Sequence, residues 1–167
     1  VGPDSGTEEL RYQGITTYNG DSIDLVIKVA SGSPAFLVKD NDGSNNGCSS
    51  DNDFGKIELQ NSASVTLDFE LRGSVSGALV VLPRFNLVFL DIDQDSGSEW
   101  VSPMGFDTYE MASSTVISVD TSPINPTFKV SSGGDVASPS NADLKQMGAA
   151  QGNAAINLLY TSTVSYT

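Results

Sequence analysis

Apolar and polar residues alternate along much of this chain, and a period of two is typical of half-buried β-strands. Residues 64–71, SVTLDFEL, place four apolar side chains on one face and four hydroxyl or carboxylate side chains on the other. The same alternation occurs in residues 24–29, DLVIKV, and in residues 155–167, AINLLYTSTVSYT. Each segment therefore predicts a strand with one face toward the core and one toward solvent.

A longer apolar stretch, residues 78–93 (ALVVLPRFNLVFLDID), is interrupted by Pro83. Proline cannot donate to a strand ladder, so Pro83 predicts a break between two strands or a bulge. Around residues 87–90 both faces are apolar, which predicts a central strand. The inward-facing core residues expected from these patterns are Leu67, Phe69, Leu87, Phe89, Leu158 and Tyr160.

Shorter strand candidates, separated by turns rich in glycine, asparagine, aspartate and serine, complete the pattern. They lie at residues 11–18, 34–38, 56–59, 99–103, 106–111, 115–119 and 127–130. About ten short strands at this spacing predict an all-β fold, a two-sheet antiparallel sandwich of jelly-roll or immunoglobulin-like type. At most one short helix is expected, at residues 142–147, with Ser140 or Asn141 as its N-cap. We expect residues 1–10 to form an extended N-terminal arm and residues 11–167 a single β-sandwich domain.

The charge balance narrows the range of partners. The chain carries 21 acidic and 8 basic residues, a net charge of −13, and no histidine. Such a surface repels nucleic-acid phosphates and anionic membranes and attracts divalent cations, so we expect no nucleic-acid partner. Without histidine, the chain lacks the commonest general base and the usual imidazole ligand of zinc, copper and iron. No apolar run is long enough for direct membrane insertion. Calcium, which binds oxygen ligands, is the candidate cofactor.

The sequence DIDQDSGSE, residues 91–99, follows the apolar stretch and holds four acidic side chains. Calcium takes about six to eight oxygen ligands, and carboxylates at alternate positions of a loop can converge on one ion. Asp91, Asp93, Asp95 and Glu99 are therefore candidate metal ligands. The loop is not an EF-hand, because serines occupy its sixth and twelfth positions. Two alternatives stay open, namely carboxylates that accept hydrogen bonds from backbone amides and a solvated turn.

Three further side chains are candidates for binding or cross-linking. Trp100 and Tyr109 lie close to the acidic loop in sequence and would suit a sugar-stacking platform. The alternative is that both are core or sheet-surface aromatics. Cys48 is the only cysteine, so it is either a free thiol or the site of a disulfide between two chains.

Several short motifs follow one another along residues 24–166. They are the segment 54–59 with Phe54, Gly55, Ile57 and Leu59, an aromatic-rich strand that ends in Asp91-Ile92-Asp93, a stretch around Tyr109, the pair Gly134-Asp135, and Leu144 with Gln146. Together they resemble an uncharacterised extracellular β-domain repeated in predicted surface proteins of diatoms and related algae. The chain departs from that pattern at Ile92, where leucine is usual, and at residues 137–139, where Asn-Pro is usual. The resemblance implies an extracellular or cell-surface location and no reaction, and it adds Asp135 to Asp91 and Asp93 as a candidate metal ligand.

These features favour a secreted, non-enzymatic domain with a structural or adhesive role. It would be a self-assembling subunit of a cell surface, matrix or filament, stabilised by calcium, with copies of itself as partners. The alternative is a calcium-dependent carbohydrate-binding module with glycans as partners, an interpretation by analogy of fold. A glycoside hydrolase-like enzyme is third, with Asp91 and Asp93, or Asp93 and Glu99, as its carboxylate pair. No catalytic residue is assigned.

The expectation of self-assembly rests on the C-terminal strand. Residues 156–167, INLLYTSTVSYT, contain no charge and no proline, which are the residues that usually protect the edge of a sheet. An unprotected edge can pair with another chain by strand addition. Lysine at Thr161 and Thr163 would then weaken assembly. The alternative is that this strand lies inside its own sheet.

Overall fold

The computed structural model describes residues 9–33, 46–48, 55–57, 59, 63–92, 99–122, 124–131, 152–163 and 165–166. The strands within them are β1 Glu9–Tyr18, β2 Asp21–Val29, β3 Gly47–Cys48, β4 Gly55–Lys56, β5 Leu67–Gly73, β6 Leu82–Phe89, β7 Trp100–Val101, β8 Thr108–Glu110, β9 Ile117–Asp120, β10 Thr127–Val130, β11 Ile156–Thr163 and β12 Ser165–Tyr166. The strand predicted at residues 34–38 and the helix predicted at residues 142–147 lie outside the described residues, as do residues 1–8. Glu9 and Leu10, which the sequence assigned to the arm, are the first residues of β1.

The described strands form a four-stranded sheet in the order β1-β2-β5-β12 and two three-stranded sheets in the orders β7-β10-β9 and β6-β11-β8. A short pair, β3-β4, stands beside them. The strand pairs are antiparallel. The all-β antiparallel fold class predicted from the sequence is confirmed, and the sheets are consistent with a β-sandwich. The predicted division into two sheets is approximate, because three sheets are found.

The chain forms two compact units, Val1–Pro83 with Ser162–Thr167, and Arg84–Thr161. The first contains the four-stranded sheet and the β3-β4 pair, and the second contains the two three-stranded sheets except for the ends of β6 and β11. The expectation of a single domain from residue 11 onward stays a prediction.

In the first unit, β1 and β2 form a hairpin whose turn is the dipeptide Asn19-Gly20. Both residues have positive φ, 51° and 84°, and Tyr18 pairs directly with Asp21. This is the conformation that a two-residue hairpin turn requires, and Asn-Gly is its strongest sequence signal. The register of the hairpin shifts between Tyr12 and Thr16, where Gly14 has a φ of 64°. The shift marks a β-bulge, which bends β1 at the edge of the sheet.

The central strand of the first unit is β2, which lies between β1 and β5. Ile27 pairs with Leu10 on one side and with Phe69 on the other, and all three are buried. Residues of opposite parity on β2 face the other side of the sheet, where Val26 is also buried. Arg11 and Glu70 are the cross-strand neighbours of Val26. Burial on both faces explains why β2 is the most apolar strand of this sheet.

In the second unit, aromatic rings join the two three-stranded sheets. The Phe128 ring on β10 lies edge-on to the Tyr109 ring on β8, with a centroid distance of 5.0 Å. Phe106 makes tilted or edge contacts with Phe128 and Tyr160, at 6.1 and 6.4 Å. Phe85 stacks on Tyr160 at 5.1 Å. These contacts form an aromatic core between the sheets, in geometries that aromatic pairs prefer.

One prediction about strand position is wrong, and a second has a divided outcome. The strand that contains residues 87–90 was expected to be central, yet among the described strands β6 lies at an edge of its sheet, with residues 84, 86 and 88 exposed. The C-terminal segment was expected at a sheet edge, with a place inside its own sheet as the alternative. Its first strand, β11, lies between β6 and β8, whereas its second, β12, is the last strand of the four-stranded sheet. Pro83 near the start of β6 fits an edge strand, because no ladder hydrogen bond is then lost. Of the predicted core residues, Phe69, Leu158 and Tyr160 are buried, and Leu67, Leu87 and Phe89 are half-buried.

Candidate binding surfaces

The acidic loop begins at Asp91, immediately after β6 and Leu90. Asp91 is half-buried and has a φ of 64°, a conformation that residues other than glycine adopt rarely. The next residue, Ile92, is buried, and its N–H donates to the carbonyl of Ala154 at 3.0 Å. The backbone conformation of Asp91 and the hydrogen bond of Ile92 therefore fix the direction in which the chain leaves β6.

The structure describes two of the five predicted metal ligands, Asp91 and Glu99, and Glu99 is exposed. Asp93, Asp95 and Asp135 lie outside the described residues. Within the described part of the chain, no three Asp, Glu, Cys or His side chains are grouped closely enough to hold a metal ion. Calcium binding by this loop stays a prediction.

The two predicted sugar-stacking aromatics face opposite sides of the sheet β7-β10-β9. Tyr109 is 39% exposed, and its ring packs against Phe128 on the inner side. Trp100 is 52% exposed and pairs with the exposed residue Lys129, whereas its neighbour Val101 pairs with buried Phe128. Because side chains alternate along a strand, Trp100 lies on the outer side. The structure does not bring the two rings together as one platform.

Cys48 belongs to β3 and pairs with Gly55 on β4. Its side chain lies outside the described part of the structure. A disulfide between two chains at Cys48 stays a prediction.

A buried carboxylate that sequence reasoning missed lies in the first unit. Asp24 on β2 is 1% exposed. It accepts hydrogen bonds from the Gly14 N–H at 3.0 Å, from Arg11 Nη1 at 3.1 Å and from the Ser74 hydroxyl. The hydrogen bond from Ser74 is the main cause that lowers the pKa of Asp24, burial opposes it, and Gly14 and Arg11 add to it. The sequence signal was an aspartate inside an apolar strand, where this residue is depleted.

A second ion-paired group lies on the same face of this sheet. Glu70 on β5 accepts from Arg72 Nε at 2.6 Å and from Lys28 Nζ at 3.2 Å. Burial acts to raise the pKa of Glu70, but the hydrogen bonds and charges of Arg72 and Lys28 outweigh it and lower the pKa. These side chains hold β2 and β5 together and surround the buried residue Val26. The charged side chains of this face therefore stabilise the sheet by pairing with one another.

An uncharged segment lies on the edge of the same sheet. Residues 73–82, GSVSGALVVL, follow β5 and contain no charged residue and no proline. The Val80 N–H donates to Leu71 O at 2.8 Å, and the Gly73 N–H donates to Ala78 O at 2.9 Å. One edge of β5 is paired with β2 along the whole length of β5. The segment therefore lies along the other edge of β5, next to β12.

The apolar side chains of this segment, called the 73–82 edge below, are turned to solvent. Val75 is 100% exposed, Leu79 is 49% exposed and Val81 is 42% exposed. Of the other two large apolar side chains in the segment, Val80 is half-buried and Leu82 is buried. Exposed apolar residues that cluster in this way mark interaction surfaces more often than isolated ones do.

A shallow groove lies on the outer face of the sheet β6-β11-β8 in the second unit. Its larger part, of about 270 Å³, is lined mainly by apolar residues, and a smaller, more polar part of about 50 Å³ adjoins it through the shared residues Glu110 and Asn157. The polar residues that line the groove and its extension, called the β11 groove below, are Arg84, Asn86, Thr108, Glu110 and Asn157. The apolar residues beside them are Val88, Met111, Ala112, Ala155 and Leu159.

Strand register brings these residues together. Asn157 pairs with Glu110, and Leu159 pairs with Thr108, so alternate residues of β11 and β8 share the outer face. Residues 84, 86 and 88 of β6 are the exposed members of that strand. No short motif unites these positions, and so the sequence offered no signal for this site.

Comparisons with protein-family models, with curated proteins and with solved structures find no match for this chain. The resemblance to algal surface domains therefore stays a prediction. A helix long and apolar enough to cross a membrane is not found in the part of the chain that the structure describes.

Proposed function

We propose that this protein is an extracellular structural or adhesive domain that assembles with copies of itself at a cell surface, in a matrix or in a filament. The observation that carries the proposal is the 73–82 edge, with its exposed apolar side chains and its lack of charge and proline. Charged residues and proline are the usual protection against pairing between edges. In a chain with a net charge of −13, an uncharged edge is the surface best able to approach another copy.

The opposite edge of this sheet carries the protection that the 73–82 edge lacks. At β1, a bulge at Gly14 interrupts the register, and Arg11 and Glu9 form an ion pair at 3.1 Å. Bulges and charges of this kind prevent strand addition. The contrast supports assembly through the β5 side of the sheet, where both the 73–82 edge and β12 lie.

Assembly is tested by placing a lysine on this edge. Leu79→Lys should weaken self-association at least tenfold, because each added strand would bring two like charges together. Sedimentation velocity over a range of protein concentrations, with and without calcium, measures the change. The matched control is Ile124→Lys, the same type of change at a side chain that is 99% exposed in the second unit.

The control should leave self-association unchanged. An intact protein that sediments as a monomer at high concentration, in calcium and in chelator, would contradict the proposal. Equal weakening by both lysine variants would mean that the effect is not specific to the 73–82 edge.

The second candidate function is a calcium-dependent carbohydrate-binding module. It is favoured by the exposed ring of Trp100 on the outer side of its sheet, since aromatic faces stack on sugar rings. A glycoside hydrolase-like activity ranks third. Both of its predicted carboxylate pairs include Asp93, which lies outside the described residues. Glu110 is the one carboxylate among the described residues that line the β11 groove, whereas glycosidases use two.

A further inference from the structure

The side chains of the β11 groove combine hydrogen-bond donors and acceptors in nearly equal measure. Arg84 supplies donors, Glu110 supplies acceptors, and Asn86, Asn157 and Thr108 supply both. The one positive and the one negative charge cancel. We propose that this groove binds uncharged saccharide units. The proposal rests on the carbohydrate-binding candidate named above, and it assigns a site that requires neither calcium nor Trp100.

The ligand class follows from the chemistry of the groove. Each hydroxyl of a saccharide both donates and accepts a hydrogen bond, and mixed amide, guanidinium and carboxylate groups can satisfy both roles. Glu110 and the overall negative charge of the chain would repel an anionic ligand, and Arg84 would repel a cationic ligand. A neutral polyhydroxylated ligand experiences neither repulsion.

The apolar residues of the groove suit the same ligand. Val88, Met111 and Ala155 lie beside the polar side chains in the larger part of the groove, and Leu159 lies in the smaller part. Saccharide rings present C–H groups between their hydroxyls, and binding sites combine apolar surface with a few convergent polar groups. The two parts share Glu110 and Asn157, so the groove continues across β11 and β8. A continuous groove favours an oligosaccharide over a single unit.

The amide of Asn157 is incompletely satisfied within the groove. Its Nδ2 donates to Glu110 Oε2 over a long distance of 3.4 Å. Its Oδ1 is shielded from solvent and finds no hydrogen-bond donor within the described part of the chain. A buried acceptor without a donor destabilises the free protein. A small rotation of this side chain toward a ligand hydroxyl would therefore gain hydrogen bonds and lose little.

The test is titration calorimetry with a panel of uncharged oligosaccharides built from glucose, mannose, xylose, galactose or N-acetylglucosamine. The panel is run in chelator, with oligogalacturonate as a charged comparison. At least one uncharged member should bind. Asn157→Ala and Arg84→Ala should each weaken that binding about tenfold or more, which is the effect of losing about one good hydrogen bond.

The matched control is Trp100→Ala, an exposed residue on the outer face of the other sheet of this unit. It should leave the affinity unchanged. Thr108→Val, which replaces only the hydroxyl with a methyl group, serves as a second groove variant if Asn157→Ala fails to fold. It should weaken binding by a smaller factor.

Three results would overturn the proposal. They are binding to no uncharged oligosaccharide at millimolar concentration, binding to the charged comparison alone, and binding that Trp100→Ala abolishes but the groove variants do not. The last result would leave carbohydrate binding intact and remove only this site. Self-association of the same samples, measured by sedimentation, reports separately on the proposed structural role.

Discussion

At the scale of single residues, Asp24 determines how β1, β2 and the turn after β5 fit together. Its carboxylate is almost fully buried, and its hydrogen bonds reach the bulge at Gly14, the side chain of Arg11 on β1 and the hydroxyl of Ser74. A buried carboxylate is tolerated only when charged or polar groups satisfy it. Asp24 is therefore a structural residue, and the sheet loses three connections at once when it is replaced.

Replacing Asp24 with asparagine should lower the free energy of unfolding by about 2–4 kcal/mol. Arg11 then loses its buried carboxylate partner, and an NH2 group replaces one carboxylate oxygen that had accepted a hydrogen bond. Urea denaturation at neutral pH measures the change. The control is Asp21→Asn, an exposed position on the same strand, which should change stability by less than about 0.5 kcal/mol. Similar effects of both substitutions would contradict the role of Asp24.

The same residue sets a dependence on pH. The pKa of Asp24 is lowered in the folded protein, so its contribution is present above the unfolded pKa of about 4 and is lost as the pH falls through the lower, folded pKa. Stability of the wild-type protein should therefore decrease below about pH 4, and the decrease should be smaller in Asp24→Asn.

At the scale of elements, turns and bulges fix the register of the first sheet. Asn19-Gly20 closes the β1–β2 hairpin, and both residues adopt positive φ. In contrast, the apolar pattern around residues 87–90 predicted a central position for β6, which lies at an edge, and the uncharged C-terminal segment left both an edge and an inner position open. The half-buried apolar residues of β6 sit at an edge, and the polar outer face of β11 lies in the middle of its sheet.

Gly20→Ala should destabilise the protein by about 1 kcal/mol. The position has a φ of 84° and open space around an added methyl group, so the cost is backbone strain alone. The matched control is Gly152→Ala, which also has open space but no positive φ and should be neutral or slightly stabilising. Thermal melts of both variants measure the difference. Equal melting temperatures for the two variants would mean that the hairpin does not require its turn conformation.

At the scale of the whole molecule, the net charge of −13 is distributed unevenly. Three of the 8 basic residues, Arg11, Lys28 and Arg72, are committed to ion pairs on one face of the four-stranded sheet. The other 5 basic residues are far outnumbered by the 21 acidic residues of the chain, and an acidic excess attracts divalent cations. This is the physical basis on which calcium stays a candidate cofactor.

Calcium should raise the melting temperature by several degrees if the loop that begins at Asp91 binds it. Binding to the folded state alone stabilises by about 2.7 kcal/mol at a hundredfold excess over Kd. Melts are compared in calcium, in magnesium and in sodium chloride of equal ionic strength, because screening alone also stabilises an acidic protein. Identical melts in calcium and in the salt control would remove the metal site.

The fold class, most strands and the turn of the first hairpin follow from local sequence patterns. These features depend on local chemistry, namely alternation that exposes one face of a strand and the Asn-Gly preference for positive φ. The positions of Phe69, Leu158 and Tyr160 in the core follow from the same alternation.

The identity of neighbouring strands, in contrast, became known only from the folded structure. Strand order joins residues that are far apart in sequence, such as Asn157 with Glu110 and Asp24 with Ser74, and alternation along one strand carries no information about its partner. For that reason the buried carboxylate network and the β11 groove were absent from the sequence-based prediction. The exposed 73–82 edge was equally hidden, because its apolar residues look like core until the edge of β5 on which they lie is known.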